Sequence, residues 1–225
     1  MKKIFFLSTI IFIIVSCGPP LELRSVAYKG MYEEKPLSVL IMPPINRSTA
    51  VDAKEYFHST LNVPIANAGY YVIPPFLSME ILKKESAYDS ELFLDIPLKK
   101  FEEVFGADVI VFTIIHKWDK NKLLATVKVD VEYIIKSVKT NQILYTRRGQ
   151  ITYDASVDAG NALASLIISA INTAVTDYVP VARACNAFTL FDLPRGNYSP
   201  LHMKDGAEKA GRKTFKATVG SVGYY

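Results

Sequence analysis

The sequence predicts an α/β fold in which helices alternate with strands around a sheet whose central strand is covered on both faces, extended by a long antiparallel hairpin. Three observations carry this. Residues 108–116, DVIVFTIIH, are too continuously apolar for a half-exposed strand and belong at a sheet centre. Val127, Val129, Val131 and Tyr133 alternate with Lys128, Asp130 and Glu132, and beyond the turn KTNQ, Ile143 and Tyr145 alternate with Thr146 and Arg148, which describes a hairpin with one wet face. Between short apolar runs closed by proline pairs, three-to-four spacing marks helices.

Residues 1–16 are read as a lipoprotein signal peptide. Lys2 and Lys3 precede an apolar run, residues 4–15, broken only by Ser8 and Thr9. A spanning helix needs roughly 20 apolar residues, and this run stops at Gly18-Pro19-Pro20, which cannot continue a helix. Ile14-Val15-Ser16-Cys17 resembles the bacterial lipobox. In such precursors the Cys thiol receives a diacylglycerol thioether, the chain is cut before it, and the new amine is acylated, commonly with palmitate. Two or more chains anchor stably, at about 0.8 kcal/mol per buried methylene. Gly18, where inner-membrane retention would place Asp, resembles outer-membrane sorting.

Loss of Lys2 and Lys3 with the leader lowers the formal net charge from +4 to +2, which argues against a nucleic-acid partner. Half of the residues are hydrophobic, enough for one sizeable core. The expected organisation is a lipidated tether over 17–36, an α/β domain over 37–182 facing the periplasm or the surface, and a C-terminal extension over 183–225 that packs on it and ends in a basic mobile segment.

Within the domain, residues 37–42 suit a buried strand closed by Pro43-Pro44. A helix follows with Ala53, Phe57, Thr60, Leu61 and Ile65 on one face; Pro64 should kink it or end its first half, and Gly69 should stop it. Residues 70–73 read as a strand closed by Pro74-Pro75, and 76–84 as a helix with Leu77, Ile81 and Leu82 inward. Residues 97–105 make a compact helix with Pro97 at its first turn and Gly106 at its end. Gly149 marks a candidate bulge in the return strand of the hairpin.

The longest predicted helix covers 158–178. Its face through Asn161, Ser165, Ser169, Asn172 and Thr176 is polar but uncharged, whereas a solvated face normally carries Lys and Glu. Such a face suits either an interface with another protein or cover by the C-terminal segment. From Arg195 onward six basic residues stand against Asp205 and Glu208, which suits a solvated tail or contact with anionic headgroups.

No pattern for catalysis or cofactor binding emerges, and the chain is expected to be no enzyme and to hold no cofactor or metal. His58, His116 and His202 are isolated and lack ligand spacing. Asp108, Asp130, Glu132, Asp154 and Asp158 offer carboxylates, mostly at element ends or on the wet face. Asn46, Ser48 and Thr49 suit turn and cap hydrogen bonds more economically than an anion site. Trp118 closes the central strand as a core cap or a pocket wall. Cys185, left alone once Cys17 is acylated, reads as a small buried hydrophobe in preference to an intermolecular bridge or a reactive thiol.

VLIMPPINRSTAVDAKEYFHSTLNVPIANAGYYVIPP, then GADVIVFTIIHKW and LPRGNYSP, resemble the conserved neisserial surface-antigen-like lipoproteins, a family that looks related to CsgG and to the TolB N-terminal domain. The resemblance implies a three-layer α/β domain on a mixed sheet and transfers no catalytic residue. It implies an outer-membrane lipoprotein that self-associates and meets other envelope lipoproteins, possible CsgG-like ones included, in an assembly or export apparatus. A self-made pore is disfavoured, since the single hairpin needs its apolar face for the core. The alternatives are a ligand-binding or enzymatic domain using the strand ends near Asn46 and Trp118, and an activator of a peptidoglycan synthase.

Overall fold

A computed structural model describes residues 20–121, 126–154 and 178–220. Cys17, residues 158–177 of the helix expected over 158–178 and all five of its candidate interface residues lie outside them.

Seven strands form one mixed sheet in the order β3-β1-β4-β5-β6-β7, with β2 also paired to β4. β1 (Ser38–Ile41), β2 (Ile45–Asn46) and β3 (Tyr71–Val72) are short and parallel; β4 (Val109–Asn121), β5 (Thr126–Ser137) and β6 (Ile143–Asp154) form a long antiparallel meander. β7 (Thr214–Gly220) closes the edge parallel to β6. β1 and β2 both pair with β4, at Val109 to Val111 and at Ile114 and Ile115. Pro43-Pro44 interrupts them because proline brings no N–H to a ladder.

Helices cover both faces, as the apolar β4 requires. On one side α1 (Arg24–Ala27), α2 (Lys29–Glu34), α3 (Ala53–Asn67) and α6 (Val179–Thr189) pack on a core that takes Val109, Val111, Ile115 and Trp118 from β4. On the other, α4 (Pro75–Lys84) and α5 (Lys99–Phe105) bury Leu82, Leu98 and Phe101 against Ile110 and Phe112. The register of β4 shifts at His116, so Trp118 and not Lys117 faces the core.

Several expectations need correction. The tether does not run to residue 36: from Leu23 on the chain is built into the domain, with Tyr28 and Met31 buried. Pro64 does not end α3, which reaches Asn67 and stops before Gly69, at φ 98°, as expected. In α4 it is Ser78 that faces inward with Leu82, while Leu77 is exposed. α5 starts at Lys99, two residues after Pro97. In β6 the extra residue sits at Leu144, not Gly149, leaving Ile143 exposed and both Leu144 and Tyr145 buried. Gly149 stays in register opposite Val131, and its missing side chain admits Phe215 and Thr189, which a Cβ there would meet at 2.6 and 2.9 Å. The basic C-terminal segment folds as loops and the edge strand β7.

Candidate functional site

Two blocks quoted above as separate words meet in space. Gly196 N–H donates to the Ala68 carbonyl and Tyr198 N–H to that of Gly69, each at 2.9 Å, while the Tyr70 hydroxyl donates to the Pro194 carbonyl at 2.6 Å. A Cβ on Gly196 would lie 2.4 Å from the Gly69 oxygen, so LPRGNYSP can seat on NAGYYVIPP only through paired glycines. This is scaffold.

Two buried carboxylates then fasten the N-terminal segment. Asp192 accepts from the Tyr28 hydroxyl, from Gly211 N–H at 2.6 Å and from the Tyr145 hydroxyl at 2.9 Å, with the Arg147 guanidinium 3.5 Å away. Arg147 lies between the Phe191 and Phe215 rings, 4.4 and 4.3 Å from their centroids. Asp205 accepts from Arg24 at 3.2 Å, from Arg195 N–H at 3.0 Å and from the Tyr32 hydroxyl at 3.1 Å. Burial, together with the adjacent carboxylates, pushes the Tyr28 and Tyr32 hydroxyls upward, so they remain protonated donors. Burying a carboxylate is costly unless it is paired and hydrogen-bonded, and both are. Asp192, Asp205, Arg24 and Tyr28 escape the sequence reading because they fall in stretches resembling a tether and a tail. The available signal is Asp192 between Phe191 and Leu193, a lone acid in an apolar run.

Beyond α4 and α5 the sheet presents a polar face. Lys128, Asp130, Gln150, Thr152, Lys216 and Thr218 line an open groove of about 460 Å³. Arg148 grips both oxygens of Asp130 at 2.7 and 2.8 Å, and Gln150 adds a bond at 3.0 Å. Burial alone would raise the Asp130 carboxyl, but these bonds outweigh it and hold it below the usual range. His116 meets Glu132 at 2.8 Å. With these acids engaged, Lys128 and Lys216 leave the groove electropositive.

The sequence candidates are dispersed. The Asn46 side chain accepts from Ser48 N–H at 3.0 Å and donates to the Ala50 carbonyl at 2.8 Å, an Asx turn. Trp118 is buried against Phe57 and Tyr56, a core cap whose indole N–H has no hydrogen-bond partner among the described residues. An open cleft of about 590 Å³, bordered by Thr49, Asp52 and Lys120, lies beside it. Asp108 accepts from the N–H groups of Leu37 and Ser38, both at 2.9 Å, a purely structural task. The side chain of Asp154 and all of Asp158 lie outside the described residues. Cys185 is buried, which pushes its thiol up to about 12. Among the described residues no three His, Cys, Asp or Glu gather to hold a metal, and no helix is long and apolar enough to cross a membrane.

Residues 26–188 match the family model described as "Putative lipoprotein GNA1162-like". The chain is 28% identical over 85 residues to "Putative lipoprotein NMB1124/NMB1162" of Neisseria meningitidis serogroup B, a match covering 38% of this chain. It spans 40% of the length of that curated relative. Its fold is similar to that of lipoprotein GNA1162 from Neisseria meningitidis, with a TM-score of 0.51 at 20% identity over 61% of this chain and 97% of that one. The C-terminal domain of LpoB from Escherichia coli aligns at a TM-score of 0.39 and 14% identity, over 55% of this chain and 94% of that domain.

Proposed function

Since the chain belongs to the GNA1162-like lipoprotein family, we propose that it is anchored through acylated Cys17 to the outer membrane and serves there as a non-catalytic interaction component of an envelope assembly or export apparatus. Its partners in this reading are other envelope lipoproteins, CsgG-like relatives among them, and further copies of itself. The face through Asn161, Ser165, Ser169, Asn172 and Thr176 remains the proposed surface for self-association.

The observation that supports an interaction role is the polar face of β5, β6 and β7. Asp130 is held by Arg148 and Gln150, and Glu132 meets His116, all on hydrogen-bonded strands, so this part of the surface is preorganised, as a recognition surface should be. A photo-crosslinking side chain placed at Lys216 in intact cells should capture an envelope protein or a second copy, and Cys17→Ala should abolish the adduct while moving the chain to the soluble fraction. No adduct from a correctly anchored chain would overturn the reading. Capture of a peptidoglycan synthase would favour the activator role.

One observation favours a second reading, ligand binding: the cleft beside Trp118, with its unpartnered indole N–H. A melting-temperature shift with a ligand panel that disappears in Trp118→Phe would support it.

A further inference from the structure

The fastening of the N-terminal segment fixes where the domain stands relative to its anchor. Leu23 bridges antiparallel to Lys209, Ala210 N–H donates to the Glu22 carbonyl and Arg24 N–H to that of Glu208, both at 2.8 Å. From Cys17 to Leu23 there are six peptide steps, at most ~20 Å of extended chain. A domain fixed at Leu23 therefore stays within that reach of the bilayer holding Cys17, with this end nearest.

That end has the composition such a position calls for. Leu21, Leu23 and Val26 are 39, 42 and 61% exposed. Lys209, Arg212 and Lys213, also exposed, run alongside them, and Leu21 and Glu22 share one surface concavity with Arg212 and Lys213. Arg24 lies between Asp205 and Glu208, at 3.2 and 3.0 Å, so that with Glu22 this end sets four cations against three acids, one of them, Asp205, buried. Apolar side chains interspersed with cations match an acyl boundary overlaid by phosphates.

We infer that the rim formed by residues 20–26 and 209–213 docks on the anionic headgroups of the bilayer that holds Cys17, so that the domain lies against the membrane. The inference rests on the anchor reading above. It predicts a defined orientation, with α1 toward lipid and α5, on the opposite face of the sheet, away from it.

The test uses the acylated chain reconstituted into phosphatidylcholine vesicles with or without about 30% phosphatidylglycerol. A fluorophore is attached at Val26→Cys, or at Glu103→Cys in α5 as the distal control, and quenched by spin-labelled headgroups. Buried Cys185 and the thioether of Cys17 take no label. In anionic vesicles the label at 26 should be quenched on the order of threefold more than the label at 103, and Lys209→Gln with Arg212→Gln and Lys213→Gln, or high salt, should remove the difference. Equal quenching at the two positions, or a difference that ignores the bilayer's charge, overturns the inference while flotation with the vesicles upholds the anchor. Failure to float overturns both.

Discussion

At the scale of single residues, the consequential groups are the acids that the fold has had to satisfy. Asp192 is fully buried with donors on both oxygens, so Asp192→Asn turns part of an acceptor into a donor facing the Tyr28 hydroxyl and Gly211 N–H, and leaves Arg147 buried without its countercharge. Removing one member of a buried pair costs about 3–5 kcal/mol. The unfolding free energy of Asp192→Asn, read from urea titration, should fall by that amount, whereas Lys83→Ala, which breaks only the exposed pair with Glu80, should change it by less than about 1 kcal/mol. Asp130 behaves differently, being depressed by Arg148 and Gln150 and only partly buried. A carboxyl whose folded value lies below its unfolded one, roughly 4, stabilises the fold above that pH, and the contribution disappears as pH falls through the folded value. The wild-type midpoint should therefore drop more steeply than that of Asp130→Asn between about pH 5 and the acid limit.

At the scale of elements, what the chain needs is close approach, and the glycines show where. Gly149→Ala places a methyl against the tip of Phe215, a ring on an edge strand that can shift, so a cost of about 1–3 kcal/mol is expected, with faster amide exchange confined to β7. Gly196→Ala meets the backbone oxygen of Gly69, which has no such freedom, and should cost more and loosen α3's C-terminus as well. Equal effects of the two substitutions on exchange would contradict this. These contacts also explain what was legible in sequence. β4, β5 and α3 are readable because a buried strand, a half-wet strand and an amphipathic helix each write a period into the chain. The pairing of Gly69 with Gly196 writes none. Ser78 turns inward because a small hydroxyl donating to the Pro75 carbonyl fits where Leu77 would not, and no spacing rule contains that. The polar groove was legible as residues and illegible as a site, since Lys216 reaches it only through the parallel pairing of β7 with β6.

At the scale of the whole molecule, the segment from Leu23 belongs to the fold, which under the proposed anchoring at Cys17 couples attachment to stability. Tyr28 and Met31 are buried in the same core as Tyr145 and Leu144, and the Tyr28 ring lies 4.8 Å from that of Tyr145. A chain beginning at Leu37 would lose those two side chains, at about 1.5–3 kcal/mol each, and would leave Asp205 without Arg24 and Tyr32, and Asp192 without Tyr28. Since small domains are stable by only about 5–15 kcal/mol, that truncation should unfold at far lower urea than one beginning at Pro20 or fail to fold at all. Equal midpoints for the two chains would mean the segment is a passive tether after all. Under the proposed anchoring at Cys17, a pull between membrane and domain would act first on the backbone pairing of Glu22, Leu23 and Arg24 with residues 208–210, and then on the buried contacts of Arg24 and Tyr28. In the proposed role, a partner captured on the polar face of β5 to β7 would thereby be held at a distance and angle set by the fold itself, as a scaffold in an envelope assembly requires.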